Sequence, residues 1–288
     1  MQPPSFDLLK LLVTGATGFI GSYFVRAALA AGHEVIAVRR SDESSPVIPL
    51  PMEPRWLTRA VEALQVSDFM GCDALVHFAA TGVSPKPATW SECFRFNTQV
   101  ALELAQKAHN AGLSRMVVSG SYAEYGRSGL RFEHIPSDAP LEPTDPYAAS
   151  KAAGCIALAS FCRHSQIRFY YGRIFSAFGE GQADVNFWPQ LRKAALDGSD
   201  FPMTRGEQIR DFLAVEKVAE IFLHATVRSD LLPGEPMIRN VASGIPVTLR
   251  EFAEDNWENW RATGLLKFGA VDYRPHEVMR YVPLIEEP

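Results

Sequence analysis

The chain has 288 residues and a formal net charge of -5, with 47% hydrophobic and 21% charged residues. That length and composition fit one large globular domain or two joined ones, and they exclude a disordered or low-complexity chain. No lysine/arginine cluster is longer than Arg39-Arg40, so nothing points to a nucleic-acid partner. Four cysteines, Cys72, Cys93, Cys155 and Cys162, stand without a C-x-x-C pair. They are read as reduced, buried thiols, with no metal site and no disulfide framework. No apolar run approaches the ~18–20 residues of a membrane helix, and no signal-peptide pattern opens the chain. A cytoplasmic, soluble protein is expected.

In chain order, the apolar run Leu8–Thr14 reads as a first strand ending in glycine. Phe19–Ala31 has helical periodicity and stops at Gly32. Glu34–Val38 is a second strand, followed by a serine- and proline-rich loop over 41–55 and a weak strand at Arg55–Thr58. Ala74–Phe78 is a clear strand, Trp90–Ala111 one long helix ending at Gly112, and Arg115–Ser119 another strand. Residues 126–146 hold four prolines and read as loop. Pro146 then opens a helix to about His164, with Asp145 as N-cap. Ile167–Ile174 is a strand, and helices are predicted near 185–197, 215–228 and 248–263. Alternating β and α segments imply a doubly wound parallel sheet, an α/β Rossmann-like fold, with helices on both faces. The predicted division is a dinucleotide-binding domain over 1–174 and a smaller mixed α/β lobe, mainly substrate-binding, over 175–288, with an interleaved boundary.

Between the first strand and helix lies Thr14-Gly15-Ala16-Thr17-Gly18-Phe19-Ile20-Gly21. Glycines three apart let the backbone turn tightly, approach a pyrophosphate and pack the helix on the sheet. The alternative is a glycine-containing turn with no ligand, and the strand–turn–helix context favours a dinucleotide. The second strand ends in Arg39-Arg40-Ser41, with Asp42 late. An acidic residue at that point selects NAD, whereas arginine accommodates the 2′-phosphate of NADP. NADP(H) is therefore favoured over NAD(H), against the alternative that both arginines are solvated loop residues.

Tyr147 and Lys151 are four apart at the start of a helix and share a face. A phenol, with a pKa of about 10, is a weak acid–base catalyst at neutral pH unless a cation lowers it, and Lys151 is placed to do so. Ser121 follows a strand whose carboxyl end opens on the same crevice. There its hydroxyl can hold a carbonyl or alcohol oxygen while the tyrosine moves the proton. The competing reading is an exposed pair on an amphipathic helix.

Taken together, the motifs resemble the extended short-chain dehydrogenase/reductases, specifically the sugar-nucleotide epimerase/dehydratase/reductase family. The matching pieces are Gly15–Gly21, His77-Phe78-Ala79-Ala80, Asn97, Ser121 to Gly126, Tyr147-x-x-x-Lys151, Arg173 through Gly179-Glu180-Gly181, Gly206 to Val215, and Tyr273-Arg274-Pro275 with Glu277. The resemblance implies that Ser121, Tyr147 and Lys151 carry catalysis. It implies that Gly15, Thr17, Gly18, Phe19, Ile20, Gly21, Arg39, Arg40, Ala79, Ala80 and Asn97, with Tyr147 and Lys151, bind the cofactor. Arg210 matches an arginine that contacts the substrate diphosphate; its other reading is an interlobe ion pair with Asp211 or Glu216. Ser121, Tyr122, Ser176 and Phe187 join it as substrate-binding candidates, with Phe178 and Trp188 as aromatic neighbours that are as often core. His77 is read as structural.

Three departures from the family pattern matter. Dehydratases carry Thr-Asp-Glu where this chain has Ser121-Tyr122-Ala123, which disfavours dehydration; Glu124 comes one place late. Ser176 stands for a common asparagine, and no acidic residue is evident around Leu57–Thr58. The expected activity is NADP-dependent reduction of a nucleotide-linked 4-keto-6-deoxy sugar. The alternatives are an NAD-dependent sugar-nucleotide 4-epimerase and a non-catalytic dinucleotide-binding regulator. Family resemblance also implies a homodimer that packs the helices near 90–111 and 147–164 into a four-helix bundle.

Overall fold

The computed structural model describes residues 8–83 and 87–286. Its first half runs β1 (Lys10–Thr14), α1 (Phe19–Ala30), β2 (Glu34–Arg39), β3 (Arg55–Thr58), α2 (Val66–Phe69) and β4 (Ala74–His77). It continues with α3 (Trp90–Phe94), α4 (Ala101–Asn110), β5 (Arg115–Ser121), α5 (Pro146–His164) and β6 (Arg168–Ile174). The second half adds β7 (Ser176–Phe178), α6 (Phe187–Asp197), β8 (Phe201–Met203), β9 (Ile209–Ala214), α7 (Val215–Val227) and β10 (Met237–Val241). It closes with β11 (Pro246–Thr248), α8 (Leu249–Asn259), β12 (Leu266–Phe268) and β13 (Arg280–Tyr281).

Seven strands form one parallel sheet in the order β10-β6-β5-β4-β1-β2-β3. Successive strand residues point to opposite faces, and here both faces are apolar. Leu11, Val13, Val35, Val76, Val117 and Tyr170 pack under α1 and α7 through Phe24 and Phe222. Leu12, Ile36, Leu75, Met116 and Phe169 face α4 and α5 through Leu104, Leu158 and Cys162. Strands β2 and β3 are added on one side of β1 and β4, β5 and β6 on the other, so the crevice above the carboxyl ends of β1 and β4 is the topological switch point, where ligands of such sheets bind.

Helix α5 begins where the sequence indicates: Asp145 accepts the Ala148 N–H at 2.9 Å, and Pro146 occupies the first turn. The stretch Trp90–Ala111 differs from the single regular helix predicted. Residues Arg95–Val100 form a π-type turn between α3 and α4, a distortion that inserts an extra residue per turn. It sits against α5, where a Cβ on Gly154 would fall 2.4 Å from the Asn97 carbonyl oxygen.

The second half is interleaved with the first. Helix α7 packs on α1 and β10 extends the main sheet beside β6. The remainder forms a lobe: β9 pairs with β7, β11 and β13, while α6, α8, β8 and β12 enclose Leu191, Phe201, Ala253 and Trp257. Among the described residues, no helix is long and apolar enough to cross a membrane. Nor does any group of three His, Cys, Asp or Glu side chains there suit a metal ion. All four cysteines are free and buried.

Candidate active site

The β1–α1 turn is built around its glycines. Gly15 takes φ +70°, and a Cβ there would fall 2.6 Å from the Ala79 nitrogen. A Cβ on Gly21 would lie 2.0 Å from the Gly15 oxygen. These two positions need glycine for backbone approach. Gly18, the exposed N-cap of α1, would crowd only the Gly15 oxygen at 3.3 Å, and no acidic side chain occupies the first turn. Unopposed amide groups at a helix N-terminus suit a pyrophosphate. Thr17, Phe19 and Ile20 are half-buried around the turn, and Ala79 and Ala80 border it after β4. The residues present therefore fit a dinucleotide.

Asn97 Oδ1 accepts the Thr81 N–H at 2.8 Å, and its amide donates to the Thr81 carbonyl at 2.8 Å and to Ser150 Oγ at 2.9 Å. Both amide hydrogens are thus committed to the protein. Asn97 ties the loop after β4 to α5 at the edge of the crevice.

The end of β2 also differs from expectation. Asp42 comes late in sequence, yet it folds back: Arg39 donates to Asp42 Oδ1 at 2.5 Å and to Thr58 Oγ1 at 3.0 Å. Thr58 donates to the same Asp42 oxygen at 2.7 Å, and the guanidinium lies 5.1 Å over the Trp56 ring. Thr58, hydroxyl first, and Arg39 hold the Asp42 carboxyl below its usual range. Arg40 is exposed. A carboxylate, absent in sequence from this point, is therefore present in space.

Ser121 is the last residue of β5. Its Oγ accepts the Ala123 N–H at 3.2 Å and interacts with the Tyr147 phenol. Tyr147 itself borders the loop after β4: a Cβ on Gly82 would fall 3.5 Å from Tyr147 Cβ. Serine and tyrosine thus converge at the carboxyl ends of β4 and β5, beside the glycine turn. Lys151 is buried on the same helix, but its Nζ donates to the Ser119 carbonyl at 2.6 Å and lies 5.9 Å over the Tyr171 ring. The expected lowering of Tyr147 by Lys151 is not found. Burial raises the phenol above its usual pKa, and the Ser121 hydroxyl opposes that only in part. The reason is local: a buried ammonium must be hydrogen-bonded, and a β5 carbonyl is the acceptor within reach. Burial in turn lowers Lys151.

His77 is structural, as read. It is buried, its Nδ1 lies 2.6 Å from Thr14 Oγ1, and burial, then Lys151, pushes its pKa down to about 3. The imidazole is neutral and joins β4 to β1.

On the substrate side, the Tyr122 ring lies 5.6 Å from Phe175 and 5.5 Å from Tyr281, with Arg210 facing its phenol. Arg210 pairs with neither Asp211 nor Glu216. It donates to the Val278 carbonyl at 2.6 Å and stands 3.6 Å from Glu277. Asp211 instead caps the backbone at Ser243 and Gly244, and Glu216 faces Arg26. Ser176 opens β7, half-buried. Phe187 meets Phe201 edge-on at 5.7 Å and packs on the core of the second lobe, so that core accounts for it without a ligand. Phe178 and Trp188 are likewise in ring contact with Phe252 and Trp260.

Sequence reading noted Glu124 only as a displaced carboxylate and missed its partners. It is fully buried, accepts the Ser121 N–H and the Tyr171 hydroxyl at 2.8 Å each, and pairs with Arg173 Nε at 2.7 Å. The signal was present: Ser121-x-x-Glu124 is a capping box.

The turn, the crevice and the Ser–Tyr–Lys cluster define a dinucleotide-dependent enzyme of the extended short-chain dehydrogenase/reductase type. The model of the NAD dependent epimerase/dehydratase family matches residues 11–241, and the chain belongs to that family. It is 25% identical to a UDP-glucose 4-epimerase of Corynebacterium glutamicum over 85% of this chain and 79% of that protein. It is 32% identical to a dTDP-glucose 4,6-dehydratase of Streptomyces niveus over 72% and 66% of the two chains. Among solved structures, MoeE5 in complex with UDP-glucuronic acid and NAD superposes with a TM-score of 0.78 at 27% identity, covering 96% of this chain and 90% of that one. A UDP-N-acetylglucosamine 4-epimerase from Methanobrevibacter ruminantium reaches a TM-score of 0.83 at 22% identity, over 96% and 90%, and shares the fold.

Proposed function

We propose that this enzyme reduces the 4-keto group of a nucleotide-linked 4-keto-6-deoxy sugar, using NADPH. One observation carries the choice of redox chemistry over dehydration. Tyr147 and Ser121 meet at the crevice, while the neighbouring carboxylate, Glu124, is turned inward and tied to Arg173. Removing and returning protons beside a ketone needs a carboxylate facing the sugar, and Tyr122-Ala123 supply none.

The dinucleotide, when bound, supplies the hydride. Tyr147, kept protonated by its surroundings, gives the proton to the carbonyl oxygen, and Ser121 holds that oxygen. Lys151, on the same helix one turn after Tyr147, would hold the nicotinamide ribose. The lobe of β7, β9, α6 and α8 receives the nucleotide sugar, with Arg210 meeting its diphosphate beside Tyr122. Family resemblance supports a homodimer built on the α3–α4 and α5 faces.

A second reading, a 4-epimerase with retained NAD, is favoured by the Asp42 carboxylate at the ribose end of β2 and by the epimerases among its relatives. A panel of UDP-, dTDP-, GDP- and CDP-linked sugars separates the two. The reductase consumes NADPH stoichiometrically with the 4-keto-6-deoxy members. Turnover of an ordinary nucleotide hexose with no added cofactor would overturn it in favour of the epimerase.

A further inference from the structure

Glu124 and Arg173 bury a complete ion pair directly behind the candidate catalytic residues, with side-chain exposures of 0% and 3%. Arg173 also donates to the Tyr125 hydroxyl at 3.1 Å and the Ser137 carbonyl at 2.8 Å. Tyr171 bridges the pair to the catalytic helix, donating to Glu124 and lying 3.3 Å from the Lys151 carbonyl. Space for this network is reserved by Gly120, where a Cβ would fall 2.2 Å from the Tyr171 ring and 2.9 Å from Glu124 Oε1. A buried pair of this kind adds little net stability over apolar residues of similar size, so its retention at this spot calls for another role.

We propose that Glu124 is a positioning residue for the proton transfer. It clamps the end of β5 from which Ser121 points, and through Tyr171 it ties that end to the catalytic helix beside Lys151. This rests on the roles given above to Ser121, Tyr147 and Lys151.

The groups facing one another can be named element by element. From β6 come Arg173 and Tyr171; from α5, Tyr147, Lys151 and Cys155; from the turn after β5, Tyr122 and Tyr125; from β4, His77; and ahead of α5, Asp145. Glu124 raises both Tyr147 and Lys151, while Arg173 is a direct partner of neither. Removing the Glu124 charge therefore shifts both titrations toward lower pH.

The test compares E124Q, E124D, the double variant E124Q/R173M and Y147F, using the sugar-nucleotide panel above and nicotinamide fluorescence for cofactor binding. The double variant removes both charges, leaves none orphaned, and so keeps the protein folded where E124Q alone is destabilised. In both neutral variants kcat falls by about 10–100-fold and the alkaline limb of its pH profile moves down by roughly one unit, with NADPH affinity unchanged. E124D returns the limb to its original position. A limb coinciding with wild type in E124Q/R173M overturns the inference, whatever happens to kcat. If Y147F keeps full activity, the earlier assignment of the proton donor falls instead.

Discussion

Arg39 and Asp42 pair at the carboxyl end of β2, 2.5 Å apart, with Thr58 bonded to both. An arginine here can receive a 2′-phosphate, and a carboxylate can receive ribose hydroxyls. In this chain each occupies the other. The exposed pair is weakly held, so an incoming phosphate displaces Asp42 at small cost. Asp42→Ala is expected to tighten NADPH binding a few-fold and leave NADH nearly unchanged, whereas Arg39→Ala weakens NADPH by about 10-fold or more. Fluorescence titration of both cofactors measures this. Weaker NADH binding in Asp42→Ala would make Asp42 a ribose anchor and favour NAD.

Tyr147→Phe removes the proton donor and leaves the ring. Turnover should drop by about 10²–10⁴-fold with cofactor affinity spared, because the phenol acts on the reacting oxygen. Ser121→Ala should lower kcat less, since its hydroxyl orients and does not transfer. Steady-state kinetics beside cofactor titration settles this, and unaltered turnover in Tyr147→Phe would remove the assignment.

Gly15→Ala places a methyl 2.6 Å from the Ala79 nitrogen in a residue held at φ +70°. Neither backbone can yield without opening the junction of β1 and β4. The expected result is a lowered Tm together with loss of dinucleotide binding. The Gly18→Ala control meets only the Gly15 oxygen at 3.3 Å, so it should fold normally and lose binding alone. Thermal melting with and without cofactor separates the two.

What could be read from sequence follows from how local its causes are. Helix α5 was legible to the residue because Asp145 and Pro146 are its own cap and first turn. The edge strand β3 showed only as a weak apolar run, since one neighbour, β2, supports it. The π-type turn at Arg95–Val100 could not be read, because it answers to Gly154 more than fifty residues away. Lys151 shared a helix face with Tyr147 as predicted, yet its partner is a β5 carbonyl that no spacing reveals. Glu124 carried a capping signature, but its ion pair with Arg173 joins residues brought together only by β5 and β6.

Arg210 spends part of its hydrogen-bonding capacity on the Val278 carbonyl and has Glu277 at 3.6 Å. The C-terminal segment therefore fixes its position, and the planar guanidinium retains donors for a diphosphate. Arg210→Lys is expected to raise KM for the nucleotide sugar by about 10-fold while kcat changes little, because a lysine loses the bidentate geometry. Equal KM values would leave Arg210 as a tie between the lobe and its C-terminal segment.

His77 makes stability itself pH-dependent. Its pKa is held near 3 by burial against an unfolded value near 6.5. A histidine that is neutral when folded binds its proton only on unfolding. Its stabilising contribution is therefore complete above pH 6.5 and is lost progressively as pH falls from there toward 3. Within that window each pH unit removes up to about 1.4 kcal/mol through this one group. His77→Asn keeps a polar partner for Thr14 Oγ1, now 2.6 Å from the imidazole, and cannot be protonated. Urea unfolding at pH 7.5 and 5.5 should show a smaller loss of stability in the variant than in the wild type. Identical losses would mean that acid unfolding is set elsewhere, and that the imidazole already takes up a proton in the native state.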